Sequence, residues 1–348
     1  MITGMDRLVA TAKGEILDRI PVYCNLFEQG AGELGMTVRE YYSKGEYVAE
    51  GQIRMRAKYG YDNVWGLFYL GRKAELLGCR DIIFPTDGPP NVADFVIKTY
   101  DDIGRLRIPE DISAHPAFQE DINCLRILKN EVGGKYPICT IVTSAMTLPT
   151  LLMGMDKWME LLLLGPTDVR DELLAKCSDF FIKEITAYRD AGADTLFYSN
   201  PFGSTDTIPM KFFKKISLPW MERDLRPVGT QGVVYVCGMS RFNNVIDEII
   251  DRLGITSFYI SPLSDIAEAK KIVAGRGVVC GVINDIPLID WSEEEIRNEV
   301  KRIIDAGMPG GKFSFGTSLM PCNIPEEKIR TMLSAAYEFG RNKDWSRP

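Results

Sequence analysis

Short runs of β-branched and aromatic residues recur eight times along the chain, and a helical pattern follows each of them. They span 21–26, 63–68, 138–143, 195–199, 232–236, 257–260, 278–283 and 312–316, with amphipathic stretches such as 168–188, 243–253, 264–273, 292–305 and 326–339 between them. Parallel strands buried on both faces read as continuous apolar runs rather than alternating ones. Strands alternating with helices are the signature of βα units, and eight of them predict a (β/α)8 barrel. A doubly wound sheet is the competing arrangement, and it usually carries a GxGxxG turn after its first strand. Here the first strand runs into Cys24-Asn25-Leu26-Phe27-Glu28-Gln29-Gly30, which is not that turn, and no Walker A motif is present. Residues 79–100, with Ile82-Ile83-Phe84 and Phe95-Val96-Ile97 around Asp87-Gly88-Pro89-Pro90, read as a β-hairpin inserted after the second strand. No repeat or linker divides the chain, so residues 1–348 are read as one domain.

Composition narrows the function. With 41 basic and 48 acidic residues the net charge is −7, which argues against nucleic acid and against an anionic membrane surface. No apolar run reaches the ~20 residues of a membrane span. The densest stretch, 148–164, carries Asp156, Lys157 and Glu160 and reads as a buried amphipathic helix. The opening residues lack the apolar segment of a secretory signal, so a cytoplasmic location is expected. Eight dispersed cysteines without a CxxC pair read mainly as reduced core residues. The single histidine, His115, lies in a polar, proline-flanked segment and is expected in a surface loop. With one histidine, a triad or multi-histidine metal site would have to run through that position.

In a barrel the chemistry sits at the C-terminal ends of the strands. Those ends supply Asn25 and Glu28 after the first strand, then Tyr69, Arg72 and Glu75 after the second. Thr143 and Ser144 follow the third, Tyr198, Ser199 and Asn200 the fourth, and Tyr235 and Cys237 the fifth. Asn284 and Asp285 end the seventh, and Thr317 and Ser318 the eighth. Cys237, just before Gly238, is the cysteine expected to face the cleft. The set is polar and short of fixed cations, which suits a neutral or weakly charged organic substrate held by hydrogen bonds.

Several segments in order, Arg19-Ile20-Pro21-Val22, Ala74-Glu75-Leu76-Leu77-Gly78, Leu152-Met153-Gly154-Met155, Ala191-Gly192-Ala193-Asp194 and Ile324-Pro325-Glu326-Glu327-Lys328-Ile329, span nearly the whole chain. In these the sequence resembles the uroporphyrinogen decarboxylase superfamily, and within it the corrinoid-dependent methyltransferases of the methylcobamide:coenzyme M type. The resemblance implies a (β/α)8 barrel working with a corrinoid carried by a partner protein, and members are often homodimers. It also implies a zinc ion held by a His-x-Cys after the fifth strand and a second cysteine after the eighth. In this sequence Tyr235 replaces that histidine and Cys237 is kept. Ser318 stands at the second cysteine's position, with Cys322 four residues on. The decarboxylase branch carries an arginine-rich loop after its first strand, and this chain has none there.

The expected function is therefore transfer of a methyl group between a small ether, amine or thiol and a corrinoid protein's cobalt, in anaerobic one-carbon metabolism. Tyr235, Cys237, Glu28 and Asp285 are the expected catalytic residues, and Asn25, Tyr69, Arg72, Asn200, Asn284 and Ser318 the expected substrate contacts. Cys237 and Cys322 are the candidate zinc ligands. Two alternatives stand beside this reading. One is a metal-free lyase or decarboxylase of a small acid gripped by Arg72. The other is a barrel that binds without catalysing.

Overall fold

The computed structural model describes residues 2–86 and 88–342. All eight expected strands are present: β1 (Val22–Tyr23), β2 (Val64–Trp65), β3 (Ile138–Thr143), β4 (Thr195–Ser199), β5 (Val233–Val236), β6 (Ser257–Ile260), β7 (Val278–Ile283) and β8 (Phe313–Thr317). They make one parallel sheet in the order β1-β8-β7-β6-β5-β4-β3-β2, the succession a (β/α)8 barrel requires.

The seam between β1 and β2 has no strand ladder and is closed mainly by two side chains. The Asp62 amide donates to Val22 O at 2.9 Å, while its carboxylate accepts from the Val22 amide at 2.8 Å. Asn63 Oδ1 accepts from the Cys24 amide at 3.0 Å. Asp62 is fully buried and also accepts from Arg7 at 2.9 Å and Arg19 at 3.0 Å, so its charge is matched twice over.

Strand alternation divides the apolar residues into two cores. Tyr23, Trp65, Cys139, Ile141, Phe197, Tyr259, Cys280 and Val282 fill the lumen with Val234 and Val236. Val22, Val64, Leu196, Tyr198, Val233, Tyr235, Phe258 and Phe315 belong to the larger core under the helices. The helices Thr167–Ala191, Ile266–Val273, Glu293–Gly307 and Glu326–Phe339 lie where the periodicity puts them. The expected helix over 243–253 begins as a 3-10 turn, Asn243–Val245, and continues as Ile246–Leu253. Ser292 starts its helix with a capping box, exchanging hydrogen bonds with Glu295.

Two expectations are corrected. Ile82–Ile83 does pair antiparallel, but with Asn91–Val92 rather than with Phe95-Val96-Ile97. Phe95 and Ile97 are recruited elsewhere: the Phe95 ring lies 3.0 Å from where a Cβ on Gly154 would sit, and the Ile97 amide donates to Leu152 O at 2.8 Å. Asp87 lies outside the described residues. The stretch 148–164 is two helices, Leu148–Met153 and Met155–Leu164, broken at Gly154, whose φ of 84° belongs to the left-handed side that glycine tolerates. His115 caps the helix Pro116–Val132, its Nδ1 accepting from the Ala117 amide at 3.2 Å. Among the described residues no helix is long and apolar enough to cross a membrane.

Candidate active site

At the C-terminal mouth of the barrel a cleft of about 300 Å³ opens between the ends of β1, β2, β3 and β8. Phe27, Leu67, Leu70, Ile141 and Met320 make its walls apolar, and the turn Gly88–Asn91 closes one side. Three of the sequence candidates line it: Glu28, Tyr69 and Cys322.

Glu28 leads the short helix Gln29–Leu34 directly after β1. Its Oε1 accepts from the Tyr42 hydroxyl at 2.9 Å. Burial pushes the carboxyl above its usual range, and Glu28's own amide and Tyr42 offset this in part. Among the described residues no lysine or arginine lines the cleft. A carboxyl raised in this way keeps its proton to higher pH than a solvated one and can deliver it. Tyr42 carries no local motif that marks it as a partner of Glu28.

Tyr69 and Arg72 form a separate, saturated unit beside this wall. The Tyr69 hydroxyl donates to Glu75 Oε2 at 2.6 Å. Arg72 donates to Asp121 and Glu75, each at 3.2 Å, and to Ala117 O at 3.1 Å, with its guanidinium 4.7 Å from the Phe68 ring centre. Arg72 thus holds the helix Pro116–Val132 in place and has no free fork for a substrate carboxylate.

Beneath the cleft, four rings cross the lumen in contact. Phe27 to Trp65 is 5.1 Å, Trp65 to Phe197 is 4.8 Å, and Phe197 to Tyr259 is 5.1 Å between ring centres. Asn25 ties this floor to β8. It accepts from Trp65 Nε1 at 3.0 Å and donates to Thr317 O at 2.7 Å and to the Tyr259 hydroxyl at 3.1 Å. Asn25 is therefore a support for the floor, with its amide committed.

Asp285, Asn284 and Ser318 sit together at the ends of β7 and β8. Asp285 is 1% exposed, and burial lifts its carboxyl to about 7 against partial relief from its own amide and that of Ser318. Asp285 Oδ2 and Asn284 Oδ1 are buried without a hydrogen-bond partner. Ser318 is half-buried, and its carbonyl accepts from the Thr317 hydroxyl at 3.2 Å.

Tyr235, Cys237 and Asn200 are elsewhere. Tyr235 pairs across the sheet with Tyr198 and Phe258, and all three belong to the core under the helices, while Val234 and Val236 face the lumen. Asn200 donates to the Tyr235 hydroxyl at 3.2 Å and accepts from Ser144 Oγ at 2.7 Å. Cys237, expected in the cleft, is fully buried, with its Sγ 3.4 Å from Asn200 O. Burial pushes its thiol up to about 12. Its strand parity seals it away from the mouth that Cys322 lines.

That separation bears on zinc. A thiolate site needs deprotonated sulfur and further donors converging on one point. Cys237 keeps its proton, Tyr235 lies beside it, and Cys322 lines the cleft instead. Among the described residues no three metal-capable side chains converge. The zinc set implied by the resemblance does not fit this arrangement.

The family profile of uroporphyrinogen decarboxylase (URO-D) matches residues 3–339. The chain belongs to the URO-D family. Its relatives there include a methylcobamide:CoM methyltransferase of Methanosarcina acetivorans, 23% identical over 97% of this chain and 98% of that one. A methylcobamide:CoM methyltransferase of Methanosarcina barkeri is 23% identical over 96% of this chain and 97% of its own. A uroporphyrinogen decarboxylase of Geotalea uraniireducens is 24% identical but covers 75% of this chain and 78% of its own. In fold, a methyltransferase from Methanosarcina mazei superposes with a TM-score of 0.84 at 19% identity, over 97% of this chain and 99% of that one. Within the URO-D family the full-length likeness runs to methyltransferases, while the likeness to decarboxylases covers about three quarters of the chain.

Proposed function

We propose that this chain is a methyltransferase that demethylates a small ether or amine bound in the mouth cleft, passing the methyl group to a corrinoid on a partner protein. The observation that carries the reading is Glu28: a half-buried carboxyl, raised above its usual range by desolvation, in an apolar cleft that no lysine or arginine lines among the described residues. The full-length likeness to methylcobamide:CoM methyltransferases supports the corrinoid partner. A corrinoid, in its reduced cobalt(I) form, supplies the nucleophile that takes the methyl group. The rim suits such a partner: Leu263, Ile286 and Leu319, on the loops after β6, β7 and β8, are large apolar side chains about half exposed.

The chain's own work is at the leaving group. When the bond between methyl carbon and heteroatom breaks, its electron pair stays on oxygen or nitrogen. Glu28 donates its proton there, the carboxylate is held by Tyr42, and solvent returns the proton afterwards. General acid help of this kind is worth about 10²–10⁴ in rate. The apolar walls exclude water from the same step.

The alternative lyase reading needs a cation for the substrate carboxylate, and Arg72 is occupied by Asp121 and Glu75. A tetrapyrrole with several carboxylates would meet Glu28 and no arginine in this cleft. The test is cob(I)alamin with a panel of methyl ethers, methylamines and methyl thiols. Formation of methylcobalamin from an ether or amine, lost in Glu28→Gln, supports the proposal. No methylcobalamin from any of them with wild-type protein overturns it.

A further inference from the structure

We propose that the N-terminal end of the barrel holds a second small-molecule site, for an uncharged aromatic compound bearing one hydrogen-bond-accepting oxygen. Barrel interiors are ordinarily filled by layers of bulky branched side chains. Here the inward positions at the lower end are Thr195, Ser257, Cys280 and Ser314, and they leave a cavity of about 400 Å³. That is the size range of small-molecule sites, and the cavity is separate from the mouth cleft.

Its roof is the aromatic floor of the upper cleft seen from below. Phe197 and Tyr259 line the cavity, and their rings meet edge-on. Tyr259 can lie across β8 because Gly316 has no side chain: a Cβ there would sit 2.2 Å from the Tyr259 hydroxyl. That hydroxyl donates upward to Thr317 O at 2.6 Å, so the ring presents only carbon to the cavity. Two aromatic walls at right angles suit a flat, apolar guest.

One polar group is left over. Tyr23 lines the cavity and is 7% exposed, yet among the described residues its hydroxyl makes no hydrogen bond. The hydroxyl opens on the cavity, and a guest oxygen there would accept its hydrogen bond. Burial holds the phenol protonated, so it is a donor. Among the described residues no lysine or arginine lines the cavity, and Asp194 at its edge is committed to the Ile138 amide and Lys129. The guest is therefore neutral. Access runs between the helix Gly4–Lys13, through Leu8 and Ala12, and the loops leading into β5 and β6.

The test uses the full chain with acetophenone and ethylbenzene, which share a ring and differ in the carbonyl, read by saturation-transfer NMR and titration. Acetophenone is expected to bind one-to-one and more tightly than ethylbenzene. Tyr23→Phe should weaken acetophenone about fivefold, the worth of one hydrogen bond, and leave ethylbenzene unchanged. Ala12 is exposed at the mouth of the cavity, so Ala12→Trp should fold normally and abolish both. No binding of either probe overturns the proposal. So does binding that survives Ala12→Trp, or a Tyr23→Phe variant that treats the two probes alike.

Discussion

The Tyr42 hydroxyl donates to Glu28 Oε1 at 2.9 Å, a hydrogen bond that stabilises the carboxylate while burial opposes it. If Glu28 is the acid, two variants separate its role from mere packing. Glu28→Gln should slow methyl transfer by about 10²-fold or more. Tyr42→Phe removes a contact that lowers the Glu28 pKa, so that pKa rises further. Activity that needs the protonated acid falls as pH rises through that pKa, so the fall in Tyr42→Phe should move to higher pH. A pH–rate profile unchanged by Tyr42→Phe would count against the assignment.

The strands were legible because parallel barrel strands are buried on both faces and their apolar runs are continuous. That same continuity hid the direction of each side chain. Val233-Val234-Tyr235-Val236 has no polar alternation to say that Tyr235 points under the helices, and with it Cys237. Glu28's place at the mouth is legible because it follows β1 directly. Its pairing with Tyr42 is not, since that contact depends on how the chain folds back after the helix Gln29–Leu34. Arg72 reads as a substrate ligand in the sequence because Asp121, 49 residues away, gives no local sign of pairing with it.

Asp285 gives a stability prediction with a definite sign. Its carboxyl is lifted to about 7 by burial, whereas an unfolded aspartate titrates near 4. Between those values the folded chain binds more protons than the unfolded one, so stability falls as pH rises through that window. Asp285→Asn removes the effect. Relative to wild type the variant should gain stability from pH 4 to pH 7, by at most about 4 kcal/mol. Urea unfolding of both proteins across that range checks it, and parallel curves would refute the buried carboxyl.

Asp62 closes the barrel seam and balances two arginines, so removing it uncovers several groups at once. Asp62→Ala strands the Val22 amide and leaves Arg19 without its carboxylate, while Arg7 keeps Asp18, and should cost about 3–5 kcal/mol. Asp62→Asn keeps an acceptor for the Val22 amide and should cost less. Hydrogen exchange should quicken at the Val22 and Cys24 amides before it does on β3 to β7. A loss under 1 kcal/mol in Asp62→Ala would mean the seam is held by packing alone.

Cys237 is the decisive case for the zinc question. Its thiol is fully buried and lifted to about 12, so it carries almost no thiolate at pH 8 and should resist thiol reagents until the chain unfolds. Cys322, half-buried in the wall of the cleft, should be modified first. Cys237→Ala removes one buried sulfur and should cost about 1–2 kcal/mol of stability while methyl transfer stays within threefold of wild type. Elemental analysis of anaerobically purified protein should then find the same zinc content in the variant as in wild type. Stoichiometric zinc in wild type that disappears in Cys237→Ala would show that the strand end rearranges to bring Cys237 to the mouth.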